Sequence, residues 1–322
     1  MNYVIHKLHS AYMRLTHGNS LPTAQRGITN IDEVSALITT LLTADAPCMI
    51  ARYGSIELDA VCNYLGVTMG KKPFSSAIGY IANQRPEWWW NPAKMEFMRT
   101  NAGFFPATPD AISRFAELTI ADTAQLDALG SWRKNESFLA PYFSPHLKRF
   151  DREAINPFFA KKPWTLALEG KRVLVVHPFA QSIEQQYARK ALLFPRPVLP
   201  DFHLQVIPAV QSIGGQSHFP DWFAALDSMK QQIDQTDFDV ALLGCGAYGF
   251  SLAAHIKRSG RKAVHVGGSL QLFFGIKGKR WESKGYKAGP HDYSKLFNDY
   301  WIRPQQSEKP SAAALVENGC YW

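Results

Sequence analysis

The second half of the chain alternates short apolar runs with longer mixed segments. The runs are Arg172-Val-Leu-Val-Val176, Leu204-Gln-Val-Ile207, Val240-Ala-Leu-Leu243 and Ala263-Val-His-Val266. All four read as strands, and the length and composition of Arg172 to Val176 and Val240 to Leu243 suit buried ones. Between them the pattern predicts helices over about Gln181 to Lys190, over Pro220 to Gln235 with Pro220 in the first turn, and over Phe250 to Arg258, stopped by Ser259-Gly260. Strands alternating with helices predict a Rossmann-like α/β fold: a parallel sheet with helices on both faces.

The first half is less regular. Ile31 to Leu42 reads as a helix capped near Thr29 or Asn30, and Ala46-Pro47 breaks it. Cys48-Met-Ile-Ala-Arg-Tyr53 reads as a strand ended by Gly54, and Ser55 to Leu65 as the following helix. Pro109 to Leu118 and Leu139 to Phe150 are further helix candidates. Phe74 to Asn101 is rich in aromatic residues, with Trp88-Trp89-Trp90 suited either to packing or to stacking on a sugar. Residues 3 to 16 predict an amphipathic helix with Ile5, Leu8, Tyr12 and Leu15 on one face and Lys7 and Arg14 away from it. Such a helix packs on the domain or lies on a membrane surface. A linker over Asn156 to Pro163 separates a helical, aromatic-rich N-terminal portion, 1–160, from a Rossmann-like portion, 164–322. The two portions also read as one bilobal unit.

Composition narrows the partners. Apolar residues make up 46% and charged residues 19% of the 322, which marks a folded chain rather than a disordered one. The 35 basic residues exceed the 27 acidic ones, a formal charge of +8 that suits an anionic partner. No zinc-finger spacing or RNA-binding strand motif accompanies that charge, so nucleic acid is not expected. Cys48, Cys62, Cys245 and Cys320 lack metal-site spacing and read as small buried hydrophobes in a reducing compartment. No apolar run is long enough to span a bilayer, and residues 1 to 20 lack a signal-peptide core.

Two constellations carry candidate chemistry. The first is the glycine turn Gly244-Cys-Gly246-Ala-Tyr-Gly249 between a strand and a helix. A helix start offers bare amides and a positive dipole end to a phosphate, and glycine lets the phosphate come close. A dinucleotide site also wants an acid at the end of the next strand, where this chain has His265-Val-Gly267-Gly268. That absence argues against NAD and, less strongly, against S-adenosylmethionine. The second constellation is Arg52-Tyr-Gly54-Ser-Ile-Glu57, at a strand end that would face the binding crevice. Arg52 can fork onto a phosphate, and Glu57 can reach back from the first helical turn or simply complement the helix dipole as the partner of Arg52.

Arg52-Tyr-Gly54-Ser-Ile-Glu57 resembles the signature of the GT-D class of glycosyltransferases, in which a strand ending in Arg and Gly is followed by an acid-x-Glu pair. The glycine turn, Gly267-Gly268 and Phe274-Gly275-Ile-Lys-Gly278-Lys-Arg280-Trp281 are similar to segments of bacterial GT-D-like proteins, as are Val176-His-Pro-Phe179, Asn101-Ala-Gly-Phe-Phe105 and Asp127-Ala-Leu-Gly-Ser-Trp132. The resemblance implies a Rossmann-like, nucleotide-sugar-dependent glycosyltransferase of polysaccharide or glycoconjugate assembly. Its acceptor would be a glycan or a lipid-linked molecule. The enzyme would be cytoplasmic, with peripheral contact at the inner face of the membrane. Glu57 would be general base or metal ligand and His177 a second base. Arg52, Gly54, Gly244, Gly246, Tyr248, Gly249, Gly267, Gly268, Lys277, Lys279 and Arg280 would form the donor site, with Tyr248 stacking on the base. The class pairs its acids with Mn²⁺ or Mg²⁺, but Ser55 stands where metal-using members have Asp. Asp127, Asp59 or Glu136 would then have to complete a metal site with Glu57, unless cations neutralise the diphosphate instead. Two other readings stay open: a non-catalytic GT-D-like protein that binds a sugar nucleotide or glycan, and a methyltransferase using the Leu243-Gly-Cys-Gly246 loop.

Overall fold

The structure, a computed structural model, describes residues 2–16, 18, 20–70, 73–282, 287–288, 291–316 and 319–322. Among them, seven strands form one all-parallel sheet: β1 (Cys48–Ala51), β2 (Ala128–Ser131), β3 (Lys148–Asp151), β4 (Arg172–His177), β5 (His203–Pro208), β6 (Val240–Leu243) and β7 (Lys262–His265). Their order across the sheet is β3-β2-β1-β7-β6-β4-β5. The helices are α1 (Asn2–Leu15), α2 (Ile31–Thr43), α3 (Ser55–Thr68), α4 (Pro73–Ile81), α5 (Pro92–Thr100), α6 (Pro109–Thr123), α7 (Ala180–Tyr187), α8 (Trp222–Asp234), α9 (Tyr248–Arg258), α10 (Leu270–Phe273) and α11 (Lys279–Glu282).

Alternation along the strands sorts the core into two layers. Met49, Ala51, Leu129, Leu174, Val176, Ala241 and Leu243 point to one face, where α3, α6, α8 and α9 cover them. Cys48, Ile50, Ala128, Val173, Val175, Val240 and Leu242 point to the other, against α2, α7, α10 and the C-terminal segment. Helices therefore lie on both faces, as the sequence pattern predicts. The strands of residues 1–160 and those of 164–322 belong to the same sheet, joined where β1 pairs with β7 in the register Ile50↔Val264.

The topology creates the crevice. β4 leads into α7 on one face, whereas its neighbour β6 leads into α9 on the other. β1 and β7 diverge in the same way, into α3 and α10. Where adjacent strands send their connections to opposite faces, an opening forms above their carboxyl ends.

Some expected elements differ. Leu139 to Phe150 is not a helix: a 3-10 segment covers Lys134–Tyr142, with Pro141 inside it, and Lys148–Asp151 is the edge strand β3. Proline removes a helix donor there, and the partly exposed polar strand Lys-Arg-Phe-Asp carries no apolar run. Pro220 lies before α8 rather than in its first turn; Asp221 is the cap, accepting from the Ala224 amide. Asn30 caps α2 by accepting from the amides of Asp32 and Glu33.

Candidate functional site

A cavity of about 440 Å³ lies over the carboxyl ends of the sheet. Its size is that of a small-molecule site. Every strand of the sheet sends a residue to it from the loop beyond its end. Arg52 and Glu57 follow β1, Trp132 follows β2, and Arg152 and Glu153 follow β3. His177 ends β4 and Gln211 follows β5, while Gly244 and Gly246 follow β6 and Gly267 follows β7. Tyr321 and Trp322 come over it from the C-terminal segment.

Glu57 is the third residue of α3, and its carboxylate folds back over the residue that caps the helix. A Cβ at position 54 would lie 1.9 Å from Glu57 Oε2, so only glycine leaves room for the acid. Burial pushes the Glu57 carboxyl up from the ordinary range; its own backbone N–H and Arg52 oppose the rise, and Asp59 adds to it. Arg52 extends across to β7. Its Nε and Nη1 donate to the carbonyls of Val266 and Tyr53, at 3.4 and 3.2 Å. A Cβ at Gly267, where φ is +78°, would meet Arg52 Nη2 at 2.1 Å. Burial and the nearby Arg152 guanidinium press the Arg52 pKa down, while Tyr321, Glu57 and Glu153 resist. Arginine remains charged under such pressure, so the cavity wall holds two neighbouring cations with Glu57 and Glu153 beside them.

Arg152 and a third arginine, Arg280, lie against aromatic rings. The Arg152 guanidinium sits 4.0 Å over Trp132 and pairs with Glu153. The Arg280 guanidinium lies 4.7 Å from the centre of the Tyr321 ring and donates to its hydroxyl at 3.1 Å. Arg152, Glu153, Trp132 and Tyr321 were not singled out by sequence reasoning. They fall in the segment with the 3-10 turns and at the chain end, where no periodicity marks a strand end; only the Asp127-to-Trp132 likeness touched one of them.

The three glycines of the turn have separate jobs. A Cβ at Gly244 would strike His177 Cδ2 at 2.6 Å, and one at Gly249 would strike the His265 ring at 2.3 Å. These two let a helix and a loop pack on side chains of the protein itself. Gly249 does not line the cavity. Gly246 does, with φ at +56° and open space where a Cβ would be. Among the described residues, no backbone hydrogen bond uses the amides of Cys245, Gly246 or Ala247. This is the arrangement that receives an anion at a helix start.

His177 is buried and its pKa is pushed down to about 3 by burial. The Phe179 amide donates to its Nδ1 at 3.0 Å, so Nε2 carries the proton of the neutral ring. That tautomer donates a hydrogen bond but has no free nitrogen to take a proton, which corrects the expectation of a second base. Tyr248 lines the cavity, but one face of its ring stacks on Trp222 at 5.0 Å and its hydroxyl pairs with Ser212 at 2.7 Å. It forms wall rather than a loose platform for a base. Gly54 and Gly268 line the cavity, the latter beneath Tyr321.

Other expected residues lie elsewhere. Asp127 precedes β2 at the opposite end of the sheet, where it accepts from the Met49 amide and pairs with Lys257 at 2.7 Å. It cannot share a coordination sphere with Glu57. Asp59 is held by Arg133 and Asn135, and buried Glu136 accepts from the amides of Trp132 and Arg133. Neither lines the cavity, and neither do Lys277, the exposed Lys279 or Trp88 to Trp90. Trp88 and Trp89 pack edge-on against Tyr80 and each other. Among the described residues, no three His, Cys, Asp or Glu side chains gather as a metal-binding group. All four cysteines are buried. No described helix is long and apolar enough to cross a membrane.

No family model, curated protein or solved structure matches the chain.

Proposed function

We propose that the protein is a glycosyltransferase that moves a sugar from a nucleotide-diphosphate donor to a glycan or lipid-linked hydroxyl, working on the cytoplasmic side of the cell. The observation that carries this reading is convergence. Arg52, Gly54 and Glu57, the Asn101–Gly103 turn, His177, Gly246 and Arg280 are spread over more than two hundred residues of sequence, yet line one cavity. Together with Trp132, Gly267 and Gly268, which line the same cavity, they come from each of the separate segments that resemble GT-D-like proteins.

In this reading the Gly246 amide and the guanidinium groups of Arg52, Arg152 and Arg280 receive the diphosphate. Negative charge grows on that group as the glycosidic bond breaks, and fixed donors stabilise it without reorganising. Glu57, raised by burial, takes the proton of the acceptor hydroxyl. His177 Nε2 donates a hydrogen bond to substrate. Mn²⁺ or Mg²⁺ would find Glu57 and Glu153 as acidic ligands in the cavity, and both stand beside Arg52. Two carboxylates so placed do not make a protein metal site. Arginines therefore carry the phosphate charge.

Ser55, standing where an acid is expected, favours one other reading: a protein that binds a sugar nucleotide without turning it over. The methyltransferase reading has less support, because β7 ends at His265 and is followed by Val266 and Gly267 against Arg52, without an acid. A panel of nucleotide sugars and S-adenosylmethionine, screened by thermal shift and then by turnover with acceptor extracts, separates the three. Catalysis predicts a raised melting point with a nucleotide sugar, turnover that persists in excess chelator, and a loss of ~10²- to 10⁴-fold in Glu57→Gln. Donor binding with no turnover across the panel would leave the binder.

A further inference from the structure

Helix α1 packs on the fold with one face and leaves an apolar face exposed. His9 stacks on Tyr80 of α4 at 4.4 Å, His6 Nδ1 meets the Tyr80 hydroxyl at 2.9 Å, and Met13 is buried. The other face carries Val4, Leu8, Tyr12 and Leu15, exposed by 60%, 51%, 38% and 83%. Spacings of four, four and three place these side chains in one stripe along the helix. α4, on which α1 packs, exposes Ile78 by 58% as well. A row of large apolar side chains in water marks a contact surface.

We propose that this stripe docks the protein on an anionic lipid surface. Charge selects that occupant. α1 contains no Asp or Glu; Lys7 and Arg14 lie along one edge of the stripe. The chain as a whole carries +8. Apolar side chains sunk at the headgroup boundary, with cations at their edge, is how an interfacial helix binds. The stripe is tied to the cavity. The Lys134 ammonium donates to the Thr16 carbonyl at 2.8 Å just past α1. A few residues on, the Leu21 amide donates to the carbonyl of the cavity residue Trp132 at 2.7 Å. A docked α1 therefore holds the cavity close to the bilayer, where a hydroxyl on a lipid carrier would be presented. The docking itself does not rest on glycosyl transfer.

The test is cosedimentation of the full chain with vesicles of phosphatidylcholine alone or mixed with phosphatidylglycerol. The wild type should bind the anionic vesicles, more weakly as salt rises. Leu8→Glu/Leu15→Glu should lower the partition coefficient at least tenfold with an unchanged melting point, because both positions are exposed. Arg14→Gln should lower it several-fold. Wild-type protein that stays in the supernatant with every vesicle, or undiminished binding by the double variant, would overturn the proposal. So would light scattering that shows a dimer abolished by the double variant, which would make a second copy the occupant.

Discussion

Glu57 shows how one side chain ties fold to chemistry. Its carboxyl lies over Gly54, buried enough to raise its pKa. A raised folded-state pKa means the folded protein holds the proton more tightly than the unfolded chain does. Ionising Glu57 therefore costs folding stability, and the cost is complete above the folded pKa and absent below the unfolded one. Glu57→Gln should thus raise the melting point at pH 7, by about 1–3 °C for a chain of this size, and the gain should vanish near pH ~4. In the proposed mechanism the same residue sets the acid limb of activity. A base must be ionised, so kcat/KM should fall as pH drops through an apparent pKa above the ordinary carboxylate range of ~4.3. A lower melting point for the variant at pH 7, with the limb unmoved, would remove Glu57 from this role. His177 and His265 act in the opposite direction. Each is buried neutral, with its pKa near 3. Their stability contribution is present above ~6.5 and is lost as pH falls towards ~3. Urea midpoints measured across that window should decline, less steeply in His177→Gln.

At the scale of elements, the sequence reveals what burial makes periodic. β1, β4, β6 and β7 announce themselves because both faces of each strand, or nearly so, pack against helices, which demands an apolar run; the edge strand β5, only partly buried, shows itself by Leu204, Val206 and Ile207. β2 and β3 do not: Ala128-Leu-Gly-Ser131 is small and Lys148-Arg-Phe-Asp151 is an edge strand. Hence Arg152, Glu153 and Trp132, which follow these two strands, were hidden from sequence reading although they complete the cavity. The glycine turn was legible as a turn but not in its division of labour, since G-x-G-x-x-G does not say what faces each Cα. The structure makes that division testable. Gly249→Ala drives a methyl into the His265 ring at the junction of α9 and β7, and should cost about 1–3 kcal/mol in urea unfolding. Gly246→Ala meets open space and should cost about 1 kcal/mol, the strain of its positive φ. Its larger effect should fall on affinity for a nucleoside diphosphate, because the methyl enters the space proposed for the phosphate. Equal destabilisation by both, with ligand affinity intact in Gly246→Ala, would count against a phosphate at this turn.

At the scale of the molecule, the division of the sequence into an N-terminal and a Rossmann-like portion does not coincide with a division of the core. β1 lies between β2 and β7, so a strand from residues 1–160 is bonded on both sides and buried on both faces. The two core layers likewise run through both portions, with Leu129 and Ala241 in one and Ile50 and Val264 in the other. Removing either portion would leave an apolar sheet edge at β1 or β7, a state prone to pairing with another chain rather than to independent folding. Cooperative unfolding follows. Tryptophans report on both portions: Trp132 near β2, and Trp164 and Trp222 beyond the proposed linker. Fluorescence of variants that keep only the N-terminal or only the C-terminal indoles should show the same urea midpoint as far-ultraviolet circular dichroism of the whole chain. Midpoints that separate by portion would mean that the β1–β7 seam is a domain interface. The cavity would then lie across a hinge, and donor binding should draw the two midpoints together by closing it.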